Sequence, residues 1–137
     1  MAGFLSPLEL EYLDGVTWKI TAPFTYHIGA PDGVESVQIP IGFVTDFASV
    51  PKVLWNLLPP VGTYGKAAVI HDWLYQDRVI DGPCLRVCTR AEADAILFEA
   101  MTVLAVGFLT RWTIYLGVRV GGWVPWSTYR RHEHESR

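Results

Sequence analysis

Ala67-Ala68-Val69-Ile70-His71-Asp72-Trp73-Leu74-Tyr75 is the stretch whose reading decides this chain. Ala67, Ile70 and Leu74 recur at helical spacing and Val69 and Trp73 widen the apolar coverage, so the pattern predicts a central helix over roughly 66–76. His71 and Tyr75 stand at i and i+4 and share a face, whereas Asp72 is turned about 100° from His71. A second stretch, Arg90-Ala91-Glu92-Ala93-Asp94-Ala95-Ile96-Leu97-Phe98, embeds Asp94 in another apolar helical pattern. Polar groups in such settings are costly to bury unless they are paired. If the two helices pack together, the Asp94 carboxylate can accept from one imidazole nitrogen and from the Tyr75 hydroxyl. The other imidazole nitrogen would then take a proton from water, as a general base does. A hydrogen-bond network that only fixes how two helices pack has the same signature, and so does a metal site without catalysis.

Upstream of this stretch the chain reads as β-structure. Leu8–Tyr12 and Val16–Thr21 flank Asp14-Gly15, a dipeptide suited to a hairpin turn, and Phe24–Ile28 and Val34–Ile39 flank Gly29-Ala30-Pro31-Asp32-Gly33. Pro23 and Pro40 belong at strand ends, because proline cannot donate to a central ladder. Ser49-Val50-Pro51 is expected to cap a short helix to about Leu58, stopped by Pro59-Pro60, and Gly62, Tyr64 and Gly65 are expected to form a loop.

Downstream, Thr89-Arg90-Ala91-Glu92 fits a capping box that opens a helix to about Val106. Gly107 separates it from an apolar helix over Leu109–Val120 that carries Arg111 and Arg119, and Gly121-Gly122 breaks the pattern. The fold class is therefore α+β, a small N-terminal antiparallel β-sheet packed on a C-terminal bundle of about four helices. One domain over 1–137 is expected, with a β-rich part at 8–48, a helical part at 49–126 and a solvated polar tail at 127–137. Trp123, Trp126 and Tyr129, beside the double glycine and Pro125, are expected to be an exposed contact surface.

The composition narrows the function. Of 137 residues 50% are hydrophobic and 18% charged, enough for a core and too apolar for a disordered chain. The net charge of −3 lacks the basic face that duplex phosphates require, so no nucleic-acid partner is expected. Cys84 and Cys88 make no disulfide framework and suit a reducing compartment; with His71 they offer three soft ligands at a spacing unlike a usual zinc knuckle. No signal peptide and no ordinary transmembrane span is expected. Asp72, aimed into a neighbouring loop, could bind a hard cation such as calcium with backbone carbonyls. Asp46, in Thr45-Asp46-Phe47, is either a further polar group of the site or the holder of a turn.

The pattern His71-Asp72-x-x-Tyr75 followed by Ala93-Asp94-x-x-x-Phe98 resembles the catalytic helix pair of the phospholipase A2 superfamily, including its disulfide-free versions in parvovirus capsids. The resemblance implies that His71 activates the attacking water, Asp72 holds calcium, Tyr75 supports Asp94 and Asp94 orients His71. The superfamily's glycine-rich calcium loop is matched here only by Gly62-Thr63-Tyr64-Gly65. More of the chain is covered by a second resemblance. Gly42-Phe43-Val44-Thr45-Asp46-Phe47-Ala48-Ser49-Val50-Pro51, the His71–Tyr75 segment and Ala93-Asp94 together look like a family of tailed phages and prophages catalogued as domain of unknown function 1353. It implies a phage or prophage origin and carries no activity. Two functions follow as expectations: a lipid-ester hydrolase acting on host membrane lipids, or a non-catalytic component of a virion tail or neck whose partners are other virion proteins. The expected location is the virion or the host cytoplasm.

Overall fold

The computed structural model of the chain describes residues 3–4, 10–14, 17–29, 33–45 and 61–135. Six strands come first: β1 (Gly3–Phe4), β2 (Leu10–Asp14), β3 (Thr17–Ile20), β4 (Phe24–His27), β5 (Ser36–Ile39) and β6 (Val44–Thr45). Helix α1 (Val61–Gln76) follows, then β7 (Val79–Ile80), β8 (Arg86–Val87), α2 (Arg90–Val103), α3 (Phe108–Gly121) and α4 (Trp123–Glu135). Asp46 and the helix expected from Ser49 to Leu58 lie outside the described residues.

The strands form two three-stranded antiparallel sheets, ordered β1-β4-β5 and β2-β3-β6, and a β7-β8 pair. In the β4-β5 hairpin Phe24 stands opposite Ile39 and His27 opposite Ser36, with Pro23 and Pro40 just outside its ends. Phe24 and Tyr26 point into the core while Thr25 and His27 are half-buried, the alternation that a one-sided sheet requires. Asp81 continues the sheet through a bridge to Ser36, their amides and carbonyls exchanging two bonds of 2.8 Å.

Helix α1 lies at the centre. From Ala67 to Tyr75 every residue except the half-buried Trp73 is buried, and the helix packs on α2, α4, β5 and β6. It begins at Val61 rather than near Lys66, so the loop expected at Gly62–Gly65 is helical. Each internal glycine costs about 1 kcal/mol of helix propensity. Tertiary packing overrides that cost here, for Gly65 is itself buried. The capping box of α2 forms as expected: the Thr89 hydroxyl accepts from the Glu92 amide and the Glu92 carboxylate from the Thr89 amide, each at 3.2 Å. The helix stops at Val103, before Val106, because Ala105 turns to a left-handed φ of 60° and the Val106 amide reaches back to the Met101 carbonyl at 3.0 Å.

The expected end of the helical part at the double glycine is overturned. Gly122 has helical angles (φ −69°, ψ −15°), its amide donates to Val118 at 2.8 Å, and Trp126 donates back to Gly122 at 3.1 Å. Helical bonding thus passes through Gly122, Pro125 sits in the first turn where its missing N–H costs nothing, and α4 carries the chain to Glu135 through most of the expected polar tail. Four helices are present among the described residues, with α4 taking the place of the one expected at 49–58. None is long and apolar enough to cross a membrane.

Two polar ties hold sheet to helices. Tyr26 donates to Glu99 at 2.5 Å, and the Gly29 amide reaches the same oxygen at 3.1 Å. Arg86 bridges Glu35 of the hairpin at 2.6 Å and Glu92 of the capping box at 2.8 Å.

Candidate functional site

His71 and Tyr75 come from one face of α1, their ring centroids 4.2 Å apart, and Asp94 comes from the buried face of α2. His71 Nε2 lies 2.7 Å from Asp94 Oδ1, and the Tyr75 hydroxyl donates to that same oxygen at 2.6 Å. An ionised carboxylate only accepts hydrogen bonds. Nε2 is therefore the protonated nitrogen of the ring, and the imidazole lone pair is on Nδ1. His71, Tyr75 and Asp94 are all fully buried.

The sequence placed these three together correctly and missed the groups that complete the carboxylate's shell. Arg119, from α3, donates to Asp94 Oδ2 at 2.8 Å, and Arg90, one turn before Asp94 on α2, stands 3.5 Å from the same oxygen. Arg90 also donates to the carbonyls of Val118 and Arg119 at 3.1 and 3.2 Å, which pins the end of α3 beside the carboxylate. A signal was present: a cation inside the apolar run 109–120, with no acid on its own helix, needs a partner elsewhere. Stripping one member from a buried ionic cluster costs about 3–5 kcal/mol, so the shell fixes the positions of α1, α2 and α3.

Helix α4 closes the arrangement from the other side. Trp126 meets the Tyr75 ring edge-to-face at 5.2 Å, and the Arg130 guanidinium lies 4.6 Å over the Trp126 ring. Arg130 donates to the Tyr75 and Gln76 carbonyls at 2.6 and 2.7 Å, satisfying acceptors that the end of α1 leaves open. A methyl group at Gly122 would run into the Tyr75 hydroxyl and the Val118 carbonyl, so glycine is required there by close approach. The surface expected from Trp123, Trp126 and Tyr129 accordingly divides: Trp123 is exposed, while Trp126 and Tyr129 are half-buried and pack against the core.

Burial, and then the hydrogen bond to Asp94, push the Tyr75 hydroxyl far above its ordinary value of 10.0. Because the folded value is the higher one, the stabilisation from this phenol is complete below its ordinary value and is lost only as pH climbs through the folded one.

Asp72 looks away from Asp94, as its position on α1 requires. Its Oδ2 accepts from the Thr45 hydroxyl of β6 at 2.5 Å and from Gln76 Nε2 at 3.1 Å, which ties α1 to the second sheet. This donor set does not fit calcium. The ion is caged by oxygens, and here an amide N–H is turned onto a fully buried carboxylate. Nor do the cysteines join His71: Cys84 is exposed, whereas Cys88 is buried with its thiol pushed up to about 11, which keeps it from being a thiolate ligand at neutral pH. No group of three metal-ligating side chains gathers among the described residues.

A family model described as Protein of unknown function (DUF1353) matches residues 18–118, from β3 through most of α3. It takes in His71, Asp72, Tyr75, Arg90 and Asp94 and stops short of Arg119, Gly122 and α4. No curated protein and no solved structure matches the chain.

Proposed function

This chain belongs to the family of proteins of unknown function DUF1353, and we propose that it is a phage-encoded ester hydrolase of phospholipase A2-like geometry acting on lipid esters at the host envelope. The observation that supports this reading is the single Asp94 oxygen shared by His71 Nε2 and the Tyr75 hydroxyl. In the proposed reaction Asp94 holds the ring in the tautomer with its lone pair on Nδ1. Nδ1 takes a proton from water as the water oxygen bonds to the ester carbonyl carbon, and the imidazolium returns that proton to the alkoxide as the ester C–O bond breaks. Asp94 stabilises the transient positive charge, and Arg119 and Tyr75 keep the carboxylate in place. No step runs through calcium.

A second reading is favoured by one specific observation. His71, Tyr75, Asp72 and Asp94 have no exposed surface, so water reaches the imidazole only if the fold opens. A chain that never opens there would be a non-catalytic virion component of tail or neck in which the same network is structural.

His71→Gln separates the two. For the hydrolase, wild-type protein cleaves phospholipid or simple ester substrates, and the variant loses on the order of 10²–10⁴ in rate with its melting temperature nearly unchanged. Melting loss of about 1–3 kcal/mol in the variant, with no turnover by the wild type, overturns the hydrolase and leaves the structural component.

A further inference from the structure

Helix α3 has an outer face opposite in character to its inner one. Ile114 and Val118 enter the core, while Leu109, Trp112, Leu116 and Val120 follow one another at intervals of three and four residues and are exposed, Leu109 and Val120 to 79% and 77%. Trp123, at 60% exposure, extends this stripe onto α4. Phe108 and Val124 flank it, and together these seven side chains offer apolar area on the order of 800 Å². A monomer's largest exposed apolar patch is about 300–600 Å², and half of a standard protein–protein interface is about 800 Å².

The face is also free of charge. No acidic residue occurs between Glu99 and Glu133. Both cations of α3 are engaged elsewhere: Arg119 on Asp94, and Arg111 against the rings of Phe98 and Phe108 at 5.3 and 5.7 Å, with a bond to the Val106 carbonyl at 3.2 Å. We infer that this stripe is the interface of a homodimer, in which a second copy of the chain seats its own α3 across a two-fold axis. In such a contact every group meets its own kind or its symmetry mate, so an outward charge would confront a like charge. A face without charge is self-complementary. A lipid surface would instead call for Lys or Arg along the polar edge of the helix, and the arginines available are turned inward. The dimer does not depend on chemistry at His71.

Sedimentation equilibrium of the full chain over a wide concentration range tests this. The expected mass is twice the 15.4 kDa of one chain, falling by half in Leu116→Glu at concentrations where the wild type stays paired. Val120→Ser, a milder change on the same face, should weaken pairing at least tenfold while the dilute variant melts as the dilute wild type does. A wild type that is monomeric throughout overturns the inference, and if that monomer also co-sediments with phosphatidylglycerol vesicles the face is a lipid surface. A dimer that survives both substitutions, or an open ladder of higher masses, overturns it equally.

Discussion

The α1–α2 interface and the outer side of α3 invert the usual division of a protein in opposite ways. The first buries a histidine, a tyrosine and two aspartates among apolar helices, and the second exposes leucine, valine and tryptophan to solvent. Burial of a polar group is tolerable only with partners, and inside the molecule the partners are present: every acceptor of Asp94 is used by His71, Tyr75 or Arg119. The outer stripe has none within the described residues of its own chain. One region is complete within the monomer and the other is complete only in an assembly.

The largest effect is expected at the carboxylate. Asp94→Ala strands three buried or half-buried donors and should cost about 3–5 kcal/mol in chemical denaturation. A loss below about 1 kcal/mol would place the interior pair on the footing of a surface ion pair and dissolve the contrast.

Gly122→Ala sharpens it with a sign. An ordinary Gly to Ala change within a helix gains about 0.5–1 kcal/mol. Here the added methyl meets the Tyr75 hydroxyl and the Val118 carbonyl, so a loss of about 1–3 kcal/mol is expected instead. Stabilisation on thermal melting would mean that α4 does not seat against the network.

The smallest effect belongs to the outer face. Leu109→Ser removes a large apolar side chain, yet in dilute monomer the change in unfolding free energy should stay within about 0.5 kcal/mol, because that side chain is 79% exposed. A cost like that of a core residue would show that the stripe is covered within one chain.

Much of this was legible in the residues, and the reasons differ by element. The i and i+4 placement of His71 and Tyr75, the divergence of Asp72, the Thr89–Glu92 capping box and the β4-β5 hairpin depend on periodicity and near neighbours, which a sequence states directly. The start of α1 and the continuation through Gly122 were misread because propensity is weak where packing decides: Gly65 is buried, and Gly122 lies against Tyr75. Arg119, Arg90 and Thr45 reach their aspartates, and Trp126 its tyrosine, only after helices and sheets distant in sequence have packed. What the sequence by itself determined is the class of fold and the His71–Tyr75–Asp94 constellation, since helical phase places side chains before any tertiary contact exists. The cations that neutralise Asp94, the closure of the site by α4 and the bare outer stripe of α3 were decided by the tertiary structure alone, since each depends on which faces of separate helices meet.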